Sequence, residues 1–139
     1  MIKDYRLKIS SIVKKYVKKG TKLENFIFLS FPSFTGHLNI VELLIKSGAN
    51  VNARISGNPL TPLQLAVKEN KLDILELFLK HNADIEAKTF PELWTPLHMA
   101  VFEKQLKIAE VLIEKGANVD AVTEEKNTPL HLIISRLEM

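Results

Sequence analysis

Apolar side chains in this chain keep returning to one face of a short helix, and then stop. After Leu106, the residues Ile108, Val111 and Leu112 recur at helical spacing, while Lys107, Glu110, Glu114 and Lys115 take the other faces. That pattern predicts an amphipathic helix with one buried side. Gly116 closes it, because a residue without Cβ enters the left-handed conformation at a helix C-terminus at no steric cost. Upstream, Thr95 is suited to cap a helix, since its hydroxyl can accept a bond from an early helix N–H. Pro96 fits the first helical position, where no N–H is needed. The stretch from Thr95 to Val122 thus predicts two short helices joined by a turn.

The unit recurs. Thr61 to Lys88 reads TPLQLAVKENKLDILELFLKHNADIEAK, Gly36 to Ala53 reads GHLNIVELLIKSGANVNA, and TPLHLIIS begins again at Thr128. The starts at Thr61, Thr95 and Thr128 are 34 and 33 residues apart, with a degenerate counterpart at Ile27, 34 before Thr61. Leu38, Ile40, Val41 and Leu44 return as Leu72, Ile74, Leu75 and Phe78, then as Leu106, Ile108, Ala109 and Leu112; all twelve are expected in the core. One copy cannot bury its apolar face alone, so neighbouring copies must stack. Gly48, Asn82 and Gly116 end the second helices. At the turn inside each pair, Gly36, Asn70 and Lys104 fall in register. A lysine held left-handed there costs on the order of 1 kcal/mol, so the third copy is expected to bend.

A period of 33 to 34 residues with T-P-L-H-x-A and paired helices resembles the ankyrin repeat. Thr95-Pro96-Leu97-His98-Met99-Ala100 matches the motif fully, and Thr61-Pro62-Leu63-Gln64-Leu65-Ala66 departs only at Gln64. The resemblance covers roughly residues 27 to 136. It implies an all-α, ankyrin-type helical solenoid of stacked helix-turn-helix repeats with projecting inter-repeat loops. Residues 1–25 are then a basic amphipathic N-terminal helix acting as a cap, 26–53 a degenerate first repeat, 54–87 and 88–121 the second and third, and 122–139 a truncated fourth. The first repeat departs from the pattern: Ile27 replaces the capping threonine, Ser30 the histidine, and Pro32 falls mid-helix, at a cost of roughly 3 kcal/mol. A short or broken helix is expected, with Phe26, Phe28, Phe31 and Phe34 packed between the N-terminal helix and repeat two; a degraded, loosely ordered repeat is the alternative. At the other end Ile133 and Ile134 have no in-repeat partner helix. A fragment of a longer array, a self-association edge and a short helix that serves as its own cap are the three readings, the first preferred.

Composition changes this picture little. Apolar residues make up 46% and charged residues 25%, as in globular chains. No apolar run approaches the roughly 20 residues needed to span a bilayer. The first 19 residues intersperse charge where a secretory signal needs an unbroken apolar stretch. Without cysteine there is no disulfide or thiol chemistry. The cytoplasm is the default location. Charge is more informative: residues 1–25 carry seven Lys and one Arg against Asp4 and Glu24, a balance of +6, so the remainder sums to −3 within the net +3. The basic character belongs to the N-terminal segment, and nucleic acid is not an expected partner of the array. In that segment Ile2, Tyr5, Ile9, Ile12 and Tyr16 form one apolar stripe. Capping the N-terminal end of the stack is its preferred role. Contact of residues 1–19 with an anionic membrane or nucleic acid, and an unpacked extension, are the alternatives.

Four histidines invite a metal or base reading. His98 and His131 occupy the fourth position of the motif, where the resemblance implies a structural histidine bonded to backbone of its own and neighbouring repeats. His37 precedes a second helix, and His81 lies in a last turn, where a cation suits the helix dipole. Neither joins a cluster with metal-ligand spacing. Glu124 and Glu125 are adjacent carboxylates in a loop, as at a solvated tip. No glycine-rich phosphate loop or nucleophile elbow is present. No catalytic residue, metal or cofactor is therefore expected, and the chain does not read as an enzyme.

The resemblance implies instead a non-catalytic scaffold or adaptor, a monomer that binds a partner protein through loop tips and a concave face. Partner-facing positions just before the motif are Asn58, Leu60, Glu92, Trp94, Glu125 and Asn127; those near the end of each first helix are Lys68, Glu69, Phe102 and Glu103. Trp94 and Phe102 stand out, because large aromatics anchor interfaces. The alternative for Trp94 is that it folds over the loop of Phe90 and Pro91.

Overall fold

The structure, a computed structural model, describes residues 38–54 and 59–138. The expected N-terminal helix, the aromatic cluster of the first repeat, Pro32, Gly36, His37 and Asn58 lie outside them. Six helices follow: α1 (Leu38–Lys46), α2 (Pro62–Lys68), α3 (Leu72–Lys80), α4 (Pro96–Phe102), α5 (Leu106–Glu114) and α6 (Pro129–Leu137). Among the described residues there is no β-strand. Within a repeat α2 packs on α3 and α4 on α5. Between repeats the first helices α2, α4 and α6 form one row and the second helices α1, α3 and α5 another. This is an all-α ankyrin-type solenoid.

Each first helix opens on the same cap. Thr61, Thr95 and Thr128 are extended, and each hydroxyl accepts from the backbone N–H three residues on. The side chain at that third position, Gln64, His98 or His131, reaches back to the threonine N–H and completes a capping box. Each second helix ends in the closure expected from sequence. Gly48, Asn82 and Gly116 take φ of 95°, 64° and 94°. The next residue then donates back to a carbonyl of the last turn: Ala49 to Leu44 (3.0 Å), Ala83 to Phe78 (3.0 Å) and Ala117 to Leu112 (2.9 Å).

Two expectations need correction. Lys104 takes φ 58°, as Asn70 takes 54°, and its turn repeats the bonds of the second repeat: Lys71 N–H donates to Ala66 O at 2.8 Å and Gln105 N–H to Ala100 O at 2.9 Å. The turn of the third repeat is closed in the same way as that of the second. Lysine accepts the left-handed strain because the helices on both sides fix the turn.

The second correction concerns the core. Val41, Leu44, Ile74, Leu75, Phe78, Ile108, Ala109 and Leu112 are buried together with Leu63, Ala66, Leu97 and Ala100. Leu38 and Leu72 are partly buried against that core. Leu106, expected among them, is 68% exposed. A second helix of the following repeat packs beside α1 and α3, and none among the described residues follows α5. For the same reason Leu130, Ile133, Ile134 and Leu137 of α6 are exposed. No helix among the described residues is long and apolar enough to cross a membrane.

Candidate protein-binding site

The side chain at the third helical position joins one repeat to the next. His98 is fully buried, and Thr95 N–H donates to its Nδ1 at 3.2 Å. Its Nε2 lies 3.0 Å from the Asn127 carbonyl of the following loop. A carbonyl only accepts, so Nε2 carries the proton and Nδ1 is the acceptor; the ring is neutral. Burial holds its pKa below the ordinary 6.5, against the opposing pull of the Asn127 carbonyl. Gln64 makes the same bridge with amide atoms: Oε1 accepts from Thr61 N–H at 2.8 Å and Nε2 donates to Ala87 O at 2.7 Å. The departure from the motif at Gln64 therefore preserves the link. Among the described residues no His, Cys, Asp or Glu cluster could hold a metal ion.

These bridges fix the inter-repeat loops. Thr89 brackets its loop, donating to Trp94 O at 2.9 Å while its carbonyl accepts from Leu93 N–H at 3.0 Å and its hydroxyl from Trp94 N–H at 3.0 Å. Thr123 brackets the next in the same way with Asn127 and Lys126. Leu93 (φ 60°) and Lys126 (φ 65°) supply the left-handed corner of each finger. Glu124 N–H donates to Glu92 O at 2.9 Å and ties the two fingers together. Behind them, Asn118 N–H donates to a Glu86 carboxylate oxygen at 2.7 Å and Asp84 N–H to the Asn52 side chain at 2.7 Å. The tips are thus held by several bonds each.

On this frame Trp94, just before the α4 cap, and His98 and Phe102 of α4 follow at four-residue steps. The Trp94 ring lies 6.5 Å from that of His98 and meets Phe102 edge-on at 5.0 Å and 65°. Trp94 is half-buried and Phe102 exposed. Phe90, on which Trp94 could have folded, is 65% exposed with the Arg54 guanidinium 5.8 Å above its ring. Arg54 also donates to Lys88 O at 2.9 Å and to Pro59 O, pinning two loops. The other face of the aromatic pair takes Arg136 of α6, 4.7 Å from the Phe102 centroid, which donates to Phe102 O at the end of α4.

Between the fingers runs a groove of about 250 Å³. Pro91, Glu92 and Trp94 line it from one side, Thr123, Glu124, Glu125 and Asn127 from the other, and Leu132 of α6 completes it. Four of the residues proposed from sequence, Glu92, Trp94, Glu125 and Asn127, meet here. Phe102 joins them through its ring contact, and exposed Glu103 caps the end of α4. Leu60, Lys68 and Glu69 stand apart, in the loop before α2 and at its far end. Sequence reasoning missed Arg136 and Arg54, whose sole signal was their rarity among lysines, and Leu132, which reads as an ordinary core position.

A family model described as ankyrin repeats (3 copies) matches residues 10–89 and 33–123. No curated protein matches the chain. Ankyrin repeats are in general protein–protein interaction modules and typically non-catalytic. With the family model spanning most of its length and every described first helix opening on the T-P-L cap, the chain belongs to the ankyrin-repeat family.

Proposed function

We propose that this chain is a non-catalytic recognition module that binds a partner protein on the finger side of repeats three and four. The observation that carries this reading is the pairing of Trp94 with Phe102, an accessible aromatic pair beside a groove whose walls are held by backbone bonds. A site fixed before binding loses little conformational entropy when a partner docks. Aromatic anchors supply desolvated area, and the charges of Glu92 and Glu103 beside them give specificity. Affinity capture with the wild-type chain and with Trp94→Ala/Phe102→Ala tests it. The wild type retains a partner that the double variant loses, with circular dichroism of the two alike. Equal capture by both excludes this surface.

The segregation of charge favours a second reading, attachment of residues 1–19 to an anionic membrane or nucleic acid. Binding to anionic vesicles or to duplex DNA would then fall steeply with added salt and vanish when the segment is deleted. Salt-insensitive binding, or none, excludes it.

A further inference from the structure

The groove between the fingers is small and of one sign. About 250 Å³ lies below the usual volume of a cofactor or drug-sized pocket and suits a single side chain. Its apolar surface comes from Pro91, Trp94 and Leu132, and its charge from Glu92, Glu124 and Glu125; no lysine, arginine or histidine lines it. Such a site is complementary to a cation with a flat face, which can lie against an indole while its edge meets carboxylates. The molecule already uses that chemistry at the far end of the same aromatic row, where Arg136 covers Phe102 and donates to its carbonyl. Its other described arginine, Arg54, lies over Phe90. At the Trp94 end the carboxylates are in place and the cation is not supplied by the groove itself. Lysine offers only a compact, strongly hydrated charge there, whereas a guanidinium both stacks and bonds in a fork.

We propose that the groove receives an arginine side chain from an extended segment of the partner polypeptide, its guanidinium stacked on Trp94 and its N–H groups donating to Glu92 and to Glu124 or Glu125. This rests on the reading of the chain as a protein-recognition module and names the side chain that the site recognises.

Trp94 is the chain's sole tryptophan, so its fluorescence reports the groove directly. The full chain is titrated at low salt with a blocked tripeptide carrying central arginine, and with the same peptide carrying citrulline or lysine. The arginine peptide gives a saturable change in emission, binding at least about fivefold more tightly than either of the others. Glu92→Gln/Glu124→Gln/Glu125→Gln abolishes that preference while leaving the thermal midpoint in place. An equal response to citrulline or lysine, no saturable response to arginine, or a preference that survives in the glutamine variant overturns the proposal. If it falls while the Trp94→Ala/Phe102→Ala variant still loses its captured partner, protein recognition at this surface stands and arginine is the wrong side chain. If that variant keeps its partner, both fall.

Discussion

Replacing His98 separates what the histidine does for the fold from anything it could do as a chemical group. His98 has no exposed surface and bonds Thr95 on one side and the Asn127 carbonyl on the other. His98→Ala leaves the Thr95 N–H without its acceptor, about 1–3 kcal/mol, and removes the bridge to the part-buried Asn127 carbonyl, which keeps the Thr123 N–H. The vacated ring volume adds to that, for a total of roughly 3–5 kcal/mol and a fall of about 10 °C or more in the thermal midpoint. His98→Gln should cost less than about 1 kcal/mol, because Gln64 makes the same two bonds at 2.8 and 2.7 Å one repeat earlier. Acid separates the two further. Burial lowers the folded-state pKa of His98 below 6.5, so below pH 6.5 the unfolded chain takes up a proton that the folded one refuses. Stability from this site therefore falls as pH drops through 6.5 and levels off below the folded value. His98→Gln removes that dependence. Thermal melts across this range measure both effects. A glutamine variant as unstable as the alanine one, or one with the wild-type acid sensitivity, would refute the bridging role.

Other consequences can be checked by the same melts. Leu93 and Lys104 hold positive φ without being glycine, so Leu93→Gly and Lys104→Gly each relieve about 1 kcal/mol of strain, partly offset by a freer unfolded chain, and raise the midpoint slightly. A marked fall would show that the side chains pack more than their exposure suggests. Leu106→Ser changes stability by less than about 0.5 kcal/mol because Leu106 is exposed, whereas Leu112→Ala, fully buried in the same helix, costs about 2–5 kcal/mol. Arg136→Leu removes the cation above Phe102 and uncaps a carbonyl of α4, a loss of about 1–2 kcal/mol seen as faster amide exchange in α6; unchanged exchange there would count against the stack.

Most of the scaffold was legible because its signals are local. Threonine before Pro-Leu, a left-handed residue after each second helix and the helical spacing of Ile108 and Leu112 each act within one turn of chain. Where reading failed, the answer lay in a neighbouring repeat. Leu106 matches Leu38 and Leu72 in register, yet it is exposed because no second helix of a following repeat packs beside α5 among the described residues. Lys104 looked too costly for its turn, but the two helices it joins hold it there. For the candidate site, Trp94 and Phe102 could be singled out by size and position. The cover of Arg136 over Phe102 and the contribution of Leu132 to the groove beside Trp94 depend on approaches between residues 34 and 38 positions apart, which spacing alone does not encode.

The central claim is that a partner docks on the finger side, beside the row of first helices, and not on the row of second helices. A photo-crosslinking residue placed singly at Glu92, Glu103, Glu76 or Glu110 tests this most directly, since all but Glu92 and Glu103 lie on α3 or α5 and the substitutions at Glu76 and Glu110 are on exposed surface. Crosslinks to the captured partner from Glu92 and Glu103 alone are the result expected. Crosslinks from Glu76 and Glu110, with none from the fingers, would contradict the account.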